Sequence, residues 1–330
     1  MNQQSNRMDY KQIIKEIGRG KNHARDIDFA TARDLYRHIL ADEVPELELG
    51  GMLIALRIKG EGEEEMPGFY AAMQERVTRL TPPSGRPMPV VIPSYNGARR
   101  QGNLTPLLAL LLSALGFPVL VHGVSDDPTR VTSEAVFRAL GVDAVTDATQ
   151  AQDKLNRGEL VFISVGTLCP PLEKQLSLRW RMGVRNSAHT LAKLLTPFAE
   201  DAALRLSSVS HPEYIPRVAK FFHATGGRAL LLNGTEGEVY ANPQRCPAIS
   251  LIAGAEPVVL LPRQEESGTG RDALPAEKDA ATTAAWIARC MQREIAIPQP
   301  LRQQIACCYV ATGRARDVES ALVQIEQAGY

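Results

Sequence analysis

No Cys-x-x-Cys pair occurs in the 330 residues, and the five cysteines (Cys169, Cys246, Cys290, Cys307, Cys308) are odd in number and scattered. That excludes a zinc site or a disulfide framework built on paired thiols. The cysteines read as reduced thiols of a cytoplasmic protein. The six histidines (His23, His38, His122, His189, His211, His223) lack metal-ligand spacing, so neither a metal nor a cofactor is expected. Ser210 and His211 are neighbours in sequence only, which does not make a nucleophile and its base. Net charge is absent too: 37 basic and 37 acidic residues cancel, which removes any whole-chain electrostatic case for a polyanionic partner. The first residues, MNQQSNRMDYKQ, have no apolar core and do not read as a signal peptide. The most apolar stretch, Leu104 to Val121, is broken by Pro106, Gly116 and Pro118. It reads as a buried helix followed by a strand, so no membrane association is expected. No internal repeat or low-complexity tract is present.

What is there is a sizeable core, with 44% apolar residues, and charge that is unevenly placed. Eight acids (Asp42, Glu43, Glu46, Glu48, Glu61, Glu63, Glu64, Glu65) face only Arg57 and Lys59 between positions 42 and 65. Between Gly166 and Arg228, nine basic residues outnumber four acids. The first 80 or so residues carry helical periodicity only. Ile13, Ile14 and Ile17 share one face. Asp28 is placed to cap a second helix with the stripe Ala32, Leu35, Tyr36, Ile39, Leu40. Leu47–Ile58 and Glu63–Leu80 complete this set. The Pro/Gly-rich segment Thr81–Pro89 is the best boundary. Beyond it, apolar runs at Val90–Pro93, Val119–His122, Leu160–Val165, Leu204–Val209 and Ala229–Asn233 read as strands. They alternate with helical patterns at Thr105–Leu115, Thr132–Leu140, Asn186–Thr196, Glu213–Ala224 and Ala276–Arg293. Such alternation predicts an α/β sheet with helical crossovers. The tail, Gln299–Gln327, reads as helical, and the segment EESGTGRDALPAEKD as a surface loop.

Three stretches carry a family resemblance. GGMLIALRIKGEGEEEMPGFYAAM (Gly50–Met73), NLTPLLALLLSALGFPVLVHG (Asn103–Gly123) and VSHPEYIPRVAKFFHATGGRALLLNGTEGEVY (Val209–Tyr240) are similar to the corresponding segments of anthranilate phosphoribosyltransferases. The resemblance runs through almost the whole chain. It implies the anthranilate phosphoribosyltransferase and nucleoside phosphorylase-like fold: a small all-helical N-terminal domain over residues 1–82, joined by helices from about 170–197, and a larger α/β domain over 83–330. It also implies homodimerisation through the helical domain.

The resemblance fails at the residues that do the family's chemistry. The loop that binds the donor pyrophosphate in the family is Gly-Thr-Gly-Gly-Asp, in which glycines let backbone amides approach phosphate. Here it reads Pro93, Ser94, Tyr95, Asn96, Gly97. Proline offers no amide hydrogen, and Tyr95 takes up space the pyrophosphate needs. Of the following segment Asn103 and Thr105 remain, with Thr105 expected as helix N-cap and Pro106 as first helical residue. His122 and Gly123 match the next family motif, but Val124 and Ser125 replace its Asn-Arg, and Arg130 replaces its lysine. Asp126 and Asp127 add negative charge. The family's magnesium-binding Asp-Glu becomes Val239-Tyr240, and valine supplies no oxygen ligand. Ser94, Tyr95, Asn96, Gly97, Asn103, Thr105, His122 and Arg130 are therefore read as a degenerate donor site, with no catalytic residue assigned.

Basic residues stand around that site in sequence. Arg99 and Arg100 occupy the altered pyrophosphate loop. Lys174, Arg179, Arg181, Arg185 and Lys193 crowd the segment that receives anthranilate in the family. There Trp180 either packs into a core or offers a stacking face for a base. Arg19 and Lys21 sit in GRGKNHAR, which is either a plain turn or a phosphate-contacting loop. The pattern is similar to a non-transferase branch of the family. That likeness implies binding of single- or double-stranded DNA and RNA with little sequence preference, and a link to the DNA-damage response. Two other readings stay open on the residues alone: a transferase with an altered substrate, and a protein scaffold using the acidic helical face.

Overall fold

A computed structural model describes residues 7–330; residues 1–6 of the N-terminal segment lie outside the described residues. The chain divides into two compact units, one of residues 1–77 and 169–195, the other of residues 78–168 and 196–330.

Unit 1 is helical among its described residues. Its longer helices span Tyr10–Ile17, Phe29–Leu40, Glu46–Lys59 and Glu65–Gln74, and the returning segment adds Pro170–Ser177, Arg179–Met182 and Ser187–Leu194. Asp28 caps the second helix by accepting from the Thr31 amide. Ala32, Leu35, Tyr36, Ile39 and Leu40 are all buried, as their spacing predicts. The fourth helix stops at Gln74 and does not run on to Leu80. Downstream amides bond elsewhere: Thr78 N–H donates to the Leu168 carbonyl (2.9 Å) and Leu80 N–H to that of Pro197 (3.0 Å). The Gly50–Met73 stretch owes much of its local order to one buried carboxylate. Glu65, fully buried, accepts from the Ile27 and Gly62 amides (2.9 and 2.7 Å) and from Lys59 Nζ (2.7 Å). A charge so buried is tolerated because both its oxygens have donors and one faces an ammonium.

Unit 2 is a seven-stranded sheet covered by helices. Its strands are β1 (Val90–Ser94), β2 (Val119–Gly123), β3 (Val161–Ser164), β4 (Leu204–Val209), β5 (Arg228–Asn233), β6 (Ile249–Ile252) and β7 (Val258–Leu261), in the order β3-β2-β1-β4-β5-β6-β7. The first five are parallel, and β6 and β7 are added antiparallel. β1 and β2 open on apolar runs, Val90–Ile92 and Val119–Val121, as strands buried on both faces of a parallel sheet do. Helices include Thr105–Ala114, Ser133–Ala139, Ile215–Thr225 and Ala280–Met291. β6, β7 and the helix Ala148–Asn156 have no counterpart among the sequence expectations. The expected tail helix is two, Gln299–Ala311 and Val318–Gln327, the second capped by Asp317 accepting from Ser320. No helix among the described residues is long and apolar enough to cross a membrane.

The strand order has one consequence for function. The chain builds outward from β1 to β3 on one side, then returns to β4 on the other side of β1. In open parallel sheets of this kind, ligands bind beyond the carboxyl ends of the strands where the order reverses. The loops after β1, β2 and β5 emerge at that place.

Candidate functional site

The loop following β1 is held from two sides. Ala98 pairs with Val131 through two backbone hydrogen bonds (2.8 and 3.0 Å). Gly97 has φ +68°, and a Cβ there would meet the Val131 carbonyl oxygen at 2.5 Å. From the other side comes the turn after β5. Gly237, with φ +88°, lies so near Asn96 that a Cβ would meet Asn96 Nδ2 at 2.1 Å. Only glycine permits both the backbone conformation and the approach.

That approach delivers two carboxylates to the loop. Glu238 is 1% exposed. Its Oε1 accepts from the Asn96 and Gly97 amides (3.0 and 2.6 Å), and its Oε2 accepts from the Thr105 hydroxyl (3.0 Å). Glu236 accepts from the next amides along: Arg99 N–H on Oε2 (3.0 Å) and Arg100 N–H on Oε1 (2.8 Å). Converging backbone amides make an anion-binding concavity. Here the anion is part of the chain. Hydrogen bonds to charged acceptors contribute about 1.5–3 kcal/mol each, so an external phosphate meets strong competition. The competing carboxylate is tethered, at an effective concentration of millimolar order or more.

The other residues that the sequence grouped with this loop are brought together around it. Tyr95 is buried, with its hydroxyl 2.6 Å from His122 Nδ1. Ser94 Oγ lies 2.6 Å from Ser133 Oγ, and Asn103 Nδ2 donates to Ser133 Oγ (2.9 Å). Thr105 is not the N-cap expected from sequence. It is the first residue of its helix, and its amide donates to Asn103 Oδ1 (3.1 Å). Its hydroxyl is turned to Glu238, which removes it from capping. Val239 and Tyr240 are both buried in the hydrophobic core of unit 2. The Tyr240 hydroxyl donates to the Gly102 carbonyl (3.3 Å), and burial pushes its pKa far above the usual phenol range. Neither residue offers a metal-binding oxygen. Glu238, one position earlier, has one oxygen committed to the loop amides and the other to the Thr105 hydroxyl.

Cations surround this closed loop. Arg99 and Arg100 are exposed, and their guanidinium groups have no ion pair among the described residues. Lys278 Nζ donates to the Arg99 carbonyl (2.9 Å), and Arg130 reaches the Glu236 carbonyl at 3.5 Å. Sequence reasoning passed over Lys278 and Glu236 as members of this constellation. A basic residue in a polar loop far along the chain gives no signal by itself.

The other expected cations belong to unit 1. Lys174 pairs with Asp42 (2.6 Å) and Arg181 with Glu46 (3.2 Å), so two residues of the basic stretch pair with two of the acidic stretch within this unit. These pairs are exposed and weak. Arg19 pairs with Glu16 (3.0 Å), while Lys21 is exposed. Arg185 is partly buried, and its carbonyl accepts from Arg57 (3.1 Å). Lys193 lies in the last turn of Ser187–Leu194. Trp180 is not a core residue. It is 50% exposed, with the Arg179 guanidinium 4.4 Å from its ring centroid.

A helical unit joined to this sheet order, with a loop and a turn meeting at the switch point, defines a phosphoribosyltransferase-type scaffold. Residues 11–77 match the glycosyl transferase family, helical bundle domain. The chain is similar to the anthranilate phosphoribosyltransferase structure from Thermus thermophilus, with a TM-score of 0.77 and 22% identity over 97% of this chain and 93% of that one. It is 26% identical to the anthranilate phosphoribosyltransferase of Desulfitobacterium hafniense (strain Y51), over 74% of this chain and 70% of that protein. It is 64% identical to the uncharacterized protein YbiB of Escherichia coli (strain K12), over 97% of this chain and 100% of that protein. The chain belongs to the YbiB-type proteins of the anthranilate phosphoribosyltransferase-like family.

Proposed function

We propose that this protein is a non-catalytic nucleic-acid-binding protein on a former phosphoribosyltransferase scaffold. It contacts DNA or RNA, single- or double-stranded, through the phosphate backbone and with little sequence preference. The observation that carries the reading is the occupation of the loop amides by Glu236 and Glu238 beside exposed Arg99 and Arg100. Phosphate recognition inside the site is closed, and guanidinium groups without an ion pair among the described residues stand at its rim. Arg and Lys contacts to phosphate fix a nucleic acid without reading its bases.

Unit 1 supports the reading in two ways. The half-exposed indole of Trp180 beside Arg179 is a stacking platform of the kind that single strands use. Leu47, Ile54 and Ile58 are exposed on the helix Glu46–Lys59, as a homodimer through this unit would require. The setting proposed is the cytoplasm.

The test is fluorescence anisotropy of a labelled oligonucleotide over a salt series. Phosphate contacts release counterions, so affinity is expected to fall steeply between about 50 and 200 mM salt. Affinity that stays flat over that range, or no binding at the low-salt end, would rule the reading out.

A further inference from the structure

We infer that Glu236 is a positioning residue for phosphate binding: its carboxylate clamps the Arg99 and Arg100 amides and so presents both guanidinium groups, with Arg130 and Lys278, as one phosphodiester-binding surface. The inference rests on the nucleic-acid reading above. An acid in the middle of a basic surface is a paradox by charge alone, since it ought to weaken a polyanion's affinity.

Three observations resolve the paradox. Glu236 has φ +52°, a left-handed conformation that non-glycine residues hold only where surrounding contacts over-determine it. What over-determines it is the carboxylate, whose two oxygens each take one amide, from Arg99 and Arg100. The negative charge is thereby directed at backbone dipoles and not at the guanidinium groups, which have no ion pair among the described residues. Glu236 also offers its carbonyl to Arg130 (3.5 Å), and Lys278 holds the Arg99 carbonyl (2.9 Å). Glu236 thus holds three cationic residues directly, and Lys278 joins them through the Arg99 carbonyl. Preorganised donors lose less freedom on binding than mobile ones. The polymer is assigned as nucleic acid because adjacent cations on a rigid loop suit a regular phosphodiester repeat.

The experiment is anisotropy of a labelled single-stranded oligonucleotide over a salt series, using full-length wild type, E236A, E236G, R99A/R100A and the R99A/R100A/E236G combination. Glycine accepts φ +52° without strain, so E236G keeps the turn even if E236A does not fold. Charge alone makes the Glu236 variants bind more tightly. The clamp makes them bind about tenfold more weakly at low salt, with a log–log salt slope shallower by about 1.4, the share of two single-strand phosphate contacts. E236G is then expected to add no further loss to R99A/R100A. Wild-type-like or tighter binding by E236G with an unchanged slope overturns the positioning role, as does an undiminished further loss in the R99A/R100A background. Wild type that binds no oligonucleotide overturns the nucleic-acid reading itself and this inference with it.

Discussion

Replacing Glu238 by alanine tests how the loop after β1 is held closed. The side chain is almost fully buried and accepts three hydrogen bonds, from Asn96 N–H, Gly97 N–H and the Thr105 hydroxyl. Bonds to a charged acceptor contribute about 1.5–3 kcal/mol each, and a buried donor left unmade costs about 1–3 kcal/mol. Water entering the vacated space recovers part of this, which leaves a net loss of about 3–5 kcal/mol, at the upper end for single substitutions. For a unit of this size that lowers Tm by roughly 10 °C. Glu238→Gln keeps one acceptor oxygen and falls between. Thermal unfolding followed by circular dichroism, with and without inorganic phosphate, reads both consequences. Phosphate fills the emptied amides in Glu238→Ala, and at about ten times its Kd restores about 1.4 kcal/mol. Wild type gains less, because its own carboxylate holds those amides. A loss under about 1 kcal/mol for Glu238→Ala, or equal stabilisation of both proteins by phosphate, would refute the reasoning.

Two further substitutions address unit 1. Trp180→Ala is expected to weaken oligonucleotide binding by about 1–3 kcal/mol, the contribution of one base stacked on an aromatic ring. The half-exposed indole contributes little to folding, so Tm moves little; a large fall in Tm with unchanged binding would place Trp180 in a structural role. His189 governs an acid limb of stability. Burial, and then the Arg185 charge, lower its pKa from 6.5 to about 4. Its Nδ1 accepts from the Asn186 amide (3.1 Å) at the start of the helix Ser187–Leu194, which requires neutral imidazole. The folded pKa lies below the unfolded one, so this stability is full above about pH 6.5 and is lost as pH falls toward 4, up to about 3 kcal/mol. His189→Gln, which keeps an acceptor and does not titrate, is expected to flatten that limb. Parallel Tm–pH curves for the two proteins between about pH 7 and 4 would contradict this assignment.

The elements that sequence reads well are those whose pattern is local. The stripe from Ala32 to Leu40 has helical spacing and an Asp28 cap, and β1, β2 and β5 are built on short apolar runs. β6 and β7 escaped because four-residue strands at the antiparallel end of a sheet carry little pattern. The sequence pointed to Tyr95, Val239 and Tyr240 as departures from the family motifs, and all three are buried. What filled the site was not legible. Glu238 and Asn96 are 142 positions apart, and no periodicity links a turn after β5 to a loop after β1. Thr105 looked like an N-cap because its hydroxyl has no competing partner in sequence; in space it has Glu238. The pairing of Lys174 and Arg181 was not legible because their partners, Asp42 and Glu46, lie far back along the chain.

The central claim is that the chain's own carboxylates occupy the place where the family binds its pyrophosphate donor. Calorimetric titration of wild type with phosphoribosyl pyrophosphate and magnesium tests it most directly. The account predicts no saturable binding, because Glu238 holds the loop amides and Val239-Tyr240 offers no magnesium ligand. A saturable, magnesium-dependent isotherm would contradict it and favour a transferase with altered chemistry.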